Sequence, residues 1–205
     1  MESVTHTNFI NTGILVLAAG RSSRLGRPKQ LLVLDEQTLL KHTLQEARRS
    51  AARHIAVVLG AYSAAISGET VGDKTQVVIN SRWEEGIASS VRCGLSVLVQ
   101  ENPSMEGVIL MVCDQPFVSA GLIDRLITKH QQTGKRIVAS AYDGTCGPPV
   151  FFHRSFFPEL MELNGDTGGK GLILGHLSET VSVDFPEGSI DIDTEADYQK
   201  VLNEE

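Results

Sequence analysis

Three short, almost uninterrupted apolar runs constrain this chain most: "GILVLAAG" (13–20), "HIAVVLG" (54–60) and "GVILMVCDQP" (107–116). A strand with one wet face alternates apolar and polar residues. A run without alternation belongs to a strand covered on both faces, as in a parallel sheet flanked by helices. "TQVVIN" (75–80) reads as another strand of this kind. The segments between the runs change to helical spacing. Residues 38–51 end in cations that suit a helix C-terminus, and residues 88–100 form a helix with Ser89 or Ser90 near its start. Ser119 can cap a helix over 119–134, and Gly134 can end it. Further on, 136–144 reads as a strand and turn, and 147–163 as a strand and short helix. Residues 181–186 and 190–194 read as late strands, and 195–205 as a terminal helix. The alternation predicts an α/β chain with a single-domain, doubly wound, mostly parallel sheet and its chemistry at the strands' carboxyl ends. With no repeat or linker, residues 13–205 form one domain. "MESVTHTNFINT" (1–12) lacks the basic start and apolar core of a signal peptide and reads as a flexible polar tail.

A formal net charge of −7 leaves no basic face for a phosphate backbone, which argues against a nucleic-acid partner. A small anion needs only a local cluster of cations. Cys93, Cys113 and Cys146 are odd in number and widely spaced, as expected of reduced thiols, and they form no metal motif. No apolar stretch approaches the ~20 residues of a membrane span. The expectation is a cytoplasmic protein that does not engage membranes.

The local cluster follows the first apolar run. "LAAGRSSRLGRPKQ" (17–30) holds Arg21, Arg24, Arg27 and Lys29 and no acid. It is not a P-loop, because Gly20 and Gly26 enclose five residues and Lys29 stands three further on. The Gly-x-Gly-x-x-Gly dinucleotide fingerprint is absent too. Its glycines still allow close backbone approach to a ligand. A helix shortly after it would offer free N–H groups to phosphate. The alternative is a solvated basic turn, which is unusual at the end of a buried strand in an acidic protein. Asp114 closes the run 107–116 just before Pro116, where a strand cannot continue. Alone it would be a turn-former, but beside a cationic loop it becomes a candidate Mg²⁺ ligand. In "IDIDT" (190–194), Asp191 and Asp193 alternate with isoleucines and would share one strand face, so either could be the second ligand.

"LAAGRSSRLGRPKQLL" resembles the signature of nucleotidyltransferases that join an NTP to a phosphorylated acceptor. The chain is most similar to the molybdenum cofactor cytidylyltransferase branch of the MobA-like NTP transferases. "NSRWEEGIASSVRCGL", "CDQPFVS", "GPPVFF", "LNGDTGGKGLI" and "DIDTEADY" continue the resemblance in order along nearly the whole chain. It implies a Rossmann-like nucleotidyltransferase fold. It also implies that Leu17, Ala18, Ala19 and Gly20 border the base, with Arg24 and Lys29 on the triphosphate and Mg²⁺ on Asp114 and Asp193. Asn80, Gly86 and Ser90 would belong to the nucleotide side. Gly147, Pro148, Asp166, Gly168 and Lys170 would belong to the acceptor side. The plainer readings are that Gly86, Gly147 and Pro148 shape turns and that Asn80 caps the next helix.

The implied reaction passes CMP from CTP to the phosphate of molybdopterin and releases pyrophosphate, with a molybdenum hydroxylase apoenzyme as a further partner. Catalysis would fall to Lys29, Arg24 and Asp114. Guanylyl relatives usually carry Gly-Gly where this chain has Ala19-Gly20, and the extra methyl group disfavours a purine. One methyl discriminates by only ~1–3 kcal/mol, so CTP over GTP is a preference. The family's Gly-Asp-x-Gly-Ala-Arg is Gly-Asp-Thr-Gly-Gly-Lys here, and Lys170 keeps the charge while losing the planar fork. This departure keeps GTP or another phosphorylated acceptor open. A non-catalytic cofactor carrier is the alternative from another class, but a carrier has no need of a Mg²⁺–triphosphate site.

Overall fold

The computed structural model describes residues 10–70 and 75–203. Nine residues of the expected tail, 1–9, lie outside the described residues. Ile10 already packs on the core, and β1 (Thr12–Ala18) begins one residue before the expected domain. After β1 the cationic loop runs into a single 3-10 turn at Lys29–Leu31 and then a small hairpin, β2 (Val33–Leu34) and β3 (Gln37–Thr38). The expected phosphate-facing helix after the loop is therefore absent, and the chain makes its first α-helix only at α1 (Leu39–Arg49), capped by Thr38.

Next come β4 (His54–Leu59), α2 (Ser63–Ile66), β5 (Gln76–Ile79), α3 (Ile87–Glu101), β6 (Gly107–Val112) and α4 (Ala120–Thr133). The Ser119 hydroxyl accepts from the Leu122 N–H at 3.3 Å, and Gly134 ends α4 in a left-handed conformation, as the sequence predicts. The rest comprises β7 (Ile137–Tyr142), β8 (Thr145–His153), α5 (Phe157–Met161), α6 (Lys170–Gly175), β9 (Thr180–Asp184) and α7 (Glu195–Asn203).

The seven-stranded sheet has the order β5-β4-β1-β6-β8-β7-β9. All its neighbours are parallel except those of β8, which runs antiparallel to β6 and β7. Side chains of β1 divide between two cores, as a strand covered on both faces must. Ile14 and Val16 meet Leu40, Leu44, Leu122 and Leu126 from α1 and α4. Leu15 meets Val91, Leu95 and Leu98 from α3. Gly94 has no room for a side chain, since a Cβ there would lie 2.2 Å from Leu15.

β1 and β6 are parallel neighbours, with Leu17 opposite Val112. Residues 18–20 and 113–114 therefore emerge side by side at one edge. The stretch 190–194, expected as a strand, is not one. Ile192 is buried against Leu32, Leu34, Leu39 and Val201, and its N–H donates to the Asp114 carbonyl at 3.0 Å. Thr194 then accepts from the Asp197 N–H at 3.2 Å and opens α7.

Candidate active site

At the carboxyl edge of β1 and β6 lies a cleft of about 380 Å³. Leu17, Ala18, Ala19 and Gly20 form one wall, and Gly86, Ser90 and Asp166 line it from the facing side. Lys29 and Asp114 lie within it. An apolar recess of about 120 Å³ shares Leu17, Ile87 and Val112 with the cleft and takes in Pro148, Gly168 and Lys170.

Local bonds explain how the loop holds this shape. The buried Gln30 carboxamide donates to the Ala18 carbonyl at 2.8 Å and to the Gly20 carbonyl at 3.3 Å, tying the 3-10 turn to the end of β1. The Lys29 N–H donates to the Ser22 hydroxyl at 3.2 Å. The Lys29 side chain, only 14% exposed, is thereby delivered inward. Its ammonium donates to Asp114 Oδ2 at 2.6 Å and to Asp193 Oδ1 at 2.8 Å. Two carboxylates from distant parts of the chain thus converge on one positive centre.

Burial works against a charge on Lys29, but Asp114 and Asp193 overcome it and hold its pKa well above lysine's usual value. Burial also opposes ionisation of Asp193. Lys29 and Arg24 outweigh that effect and keep Asp193 below the ordinary carboxylate range. Asp191 is exposed as a residue, yet desolvation of its carboxyl group and the nearby charges of Asp114 and Asp193 raise it to about 6. The sequence left the choice between the two acids open. Here Asp193 makes the direct contacts, while Asp191 stands beside the same cluster. Burial pushes the Cys113 thiol up to about 12, Asp114 adds to the shift, and Lys29 offsets part of it.

The remaining expected residues divide. Arg24 is 69% exposed and does not line the cleft; it pairs with Asp193 at 2.6 Å from the outer side. Arg21, which has no distinguishing signal in sequence, does line it. Arg27 is engaged with Glu195 at 2.7 Å and lies over the Tyr198 ring. Asn80 is buried behind the cleft wall, where its amide donates to the hydroxyls of Ser89 and Ser90 at 2.8 and 3.0 Å. Its carbonyl oxygen accepts from the Arg82 N–H at 2.9 Å. It acts as a brace for the start of α3, close to the capping alternative.

Gly147 lines neither space; a Cβ there would lie 2.1 Å from the Tyr142 hydroxyl. Gly86 has φ +95° and lies against the next loop, where a Cβ would come 2.4 Å from the Gly165 carbonyl oxygen. Gln30 is not singled out by the sequence. Its place within "PKQLL" was a signal, but its bond to Ala18 depends on the fold.

The chain matches the model of the MobA-like NTP transferase domain over residues 14–181, most of its length. It belongs to the MobA-like NTP transferase family. As a member it is a nucleotidyltransferase, and Asp193 lies beyond the matched segment although it completes the cluster around Lys29. Among solved structures, this transferase is similar to Rv0371c from Mycobacterium tuberculosis H37Rv. They share 32% identity and a TM-score of 0.78, over 95% of this chain and 98% of that one. Rv0371c has also been crystallised in complex with manganese. Among curated sequences, the purine catabolism protein PucB of Bacillus subtilis is 28% identical over 90% of this chain and 93% of its own. The nicotine blue oxidoreductase of Paenarthrobacter nicotinovorans is 31% identical over 68% of this chain, a match spanning 65% of that relative.

Among the described residues, no group of three or more His, Cys, Asp or Glu side chains is arranged to hold a metal unaided. A hard divalent cation that takes one or two carboxylates and completes its shell with substrate phosphates and water has a different requirement. The donor set here fits it. Asp114 Oδ1 is buried with no hydrogen-bond partner among the described residues, and Asp114 and Asp193 already share one cation, the Lys29 ammonium. None of the described helices is long and apolar enough to cross a membrane.

Proposed function

We propose that this transferase moves CMP from CTP to the phosphate of molybdopterin, releasing pyrophosphate and forming a cytosine dinucleotide. The observation that carries the reading is the Lys29–Asp114–Asp193 cluster set against the wall formed by Leu17 to Gly20. It combines a cation and two carboxylates with a place for a nucleotide.

An oxygen of the acceptor phosphate attacks the α-phosphorus of CTP. As the new P–O bond forms, the bond to the β-phosphate oxygen breaks and its electron pair leaves with pyrophosphate. A phosphate is already ionised at neutral pH, so the chain needs no general base. Lys29 leaves its carboxylate partners for the triphosphate and stabilises charge on the pentacoordinate phosphorus. Asp114 and Asp193 would hold Mg²⁺, which when bound neutralises phosphate charge and orients the triphosphate. Arg24 keeps Asp193 in place from the outer side and reaches the triphosphate from the rim. Ser90 and Gly86 serve the nucleotide side. Pro148, Asp166, Gly168 and Lys170 serve the acceptor side, with the apolar recess taking a flat ring. Asn80 supports Ser90, and Gly147 keeps its strand close to Tyr142.

The case for cytosine is Ala19 in the cleft wall where guanylyl relatives usually carry glycine, and the case for a divalent cation is the unpartnered oxygen of Asp114. The roles named for PucB and nicotine blue oxidoreductase belong to those proteins. The deciding assay is pyrophosphate release from purified protein with CTP or GTP, Mg²⁺ or Mn²⁺, and molybdopterin. Release should require acceptor and metal and should favour CTP. Equal or better turnover with GTP overturns the base assignment, and no release with any nucleotide overturns the reaction.

A further inference from the structure

The start of α3 borders the cleft, while the loop 163–170 brings Asp166 to that cleft and Gly168 and Lys170 to the apolar recess. The two segments are more than 70 residues apart, since Arg92 and Leu163 differ by 71 positions. They are nevertheless joined at several points. The Ala88 N–H donates to the Gly165 carbonyl at 3.1 Å. Gly86 leaves that carbonyl and the Asp166 carboxylate the space that a methyl group would fill. One turn further along α3, the Arg92 guanidinium donates to the Leu163 carbonyl and lies 3.5 Å from the Glu85 carboxylate. Arg92 is 21% exposed and lines neither the cleft nor the recess.

We infer that Arg92 is a positioning residue for the acceptor: its guanidinium, held by Glu85, clasps the Leu163 carbonyl and fixes the 163–170 loop on the N-terminal turn of α3. The inference rests on the functional reading above for what the loop binds. A planar guanidinium suits this task because it can face the carbonyl with one N–H group and the carboxylate with another, which an ammonium cannot do in a fixed plane. The loop needs such a clasp. Residues 164–167 are exposed, and Gly165, at φ +61°, sits in a run that also contains Gly168 and Gly169. A loop with so little burial gains its order from a few specific bonds. Unclasped, it would carry Asp166 from the edge of the cleft and Gly168 and Lys170 from the recess, and leave Ser90 and the wall at 17–20 as they are.

The test compares the full chain with Arg92→Ala, Arg92→Lys and Glu85→Gln. Calorimetry gives the CTP dissociation constant, initial rates with molybdopterin give KM and kcat, and amide hydrogen exchange reports on 163–170. Losing a charge-assisted hydrogen bond should raise the acceptor KM about tenfold in Arg92→Ala. The CTP constant should stay within about twofold of wild type, and exchange should accelerate at 163–170 but not in β1 or β6. Arg92→Lys should recover part of the effect, and Glu85→Gln should show a weaker form of it. An unchanged acceptor KM, or a CTP constant that shifts as much as the KM, overturns the assignment. If the wild-type protein shows no turnover with molybdopterin, the functional reading fails separately, and the exchange data still decide: acceleration confined to the loop supports the clasp, and unchanged exchange overturns it.

Discussion

Lys29 neutralises two carboxylates with one ammonium, and the consequences of losing either partner differ. Asp114→Asn keeps the side-chain shape and removes the charge, so turnover should vanish while the circular dichroism spectrum stays native. A wild-type rate at saturating Mg²⁺ would remove Asp114 from the reaction. Lys29→Ala should lower kcat by about 10²- to 10³-fold, the scale of losing a donor aimed at developing charge, with a smaller effect on nucleotide affinity. It also leaves Asp114 without its cation and Asp193 with Arg24 alone. Breaking a fully buried pair costs about 3–5 kcal/mol, and the partial exposure here reduces that to roughly 1–3 kcal/mol. Added Mn²⁺ should therefore raise the melting temperature of Lys29→Ala more than that of wild type. Equal shifts would mean that Lys29 does not occupy the cation's place. The meeting of Lys29 and Asp114 at one edge was legible in sequence because the cationic loop and the acid both follow buried strands, whereas the wall at 17–20 came from the family resemblance. Arg21, which lines the cleft, and Gln30 were not legible, because their roles depend on how the loop folds back on β1.

Periodicity served best where an element is covered on both sides and worst where one backbone bond decides the path. The strands at 12–18, 54–59 and 107–112 and the helix 120–133 stand within a few residues of expectation. "IDIDT" has a strand's alternation, yet Ile192 is fully buried while Ile190 packs only partly on the same cluster, and the Ile192 N–H is taken by the Asp114 carbonyl. Alternation over five residues cannot distinguish that path from a ladder. Within β8, Pro148 and Pro149 offer no N–H, and the pairing with β7 shifts between Ala139 and Ser140. The buried Ser140 hydroxyl donates to the Pro149 carbonyl at 2.7 Å across that irregularity, a detail with no sequence signature. The junction of α3 with the 163–170 loop yields a prediction at this scale. Gly86 has φ +95° and ψ 176°, a region almost confined to glycine, and its missing Cβ leaves room for Gly165. Gly86→Ala should cost about 2 kcal/mol or more from backbone strain and contact together. For a chain of this size that is a fall of roughly 4–8 °C in melting temperature. A variant melting with wild type would show that the loop moves aside freely.

At the scale of the molecule, the sheet order brings β1 and β6, the parallel strands that border the cleft, to its middle, with a helical layer on each face. The α/β class followed from the alternation of patterns, but the antiparallel course of β8 within the seven-stranded sheet did not, because its apolar run reads the same in either direction. Ligand at the carboxyl edge should stabilise the domain as a unit. At a hundredfold excess over its dissociation constant, CTP with Mg²⁺ contributes about 2.7 kcal/mol, or roughly 5–10 °C. A chelator should abolish most of that shift, and a shift that survives chelation would argue against a metal-assisted nucleotide site. The sites of Lys29, Asp114 and Asp193 are 85 and 164 residues apart along the chain. At the usual pace of translation, roughly 10–30 seconds separate the first from the last. A nascent chain can therefore form β1, the cationic loop and most of the sheet while still attached to the ribosome, yet remain chemically silent. The proposed cation site is complete only after Ile192 has bonded to the Asp114 carbonyl, so a message cut short after β9 should yield a product that lacks Asp193 and the apolar cover of Leu32, Leu34 and Leu39.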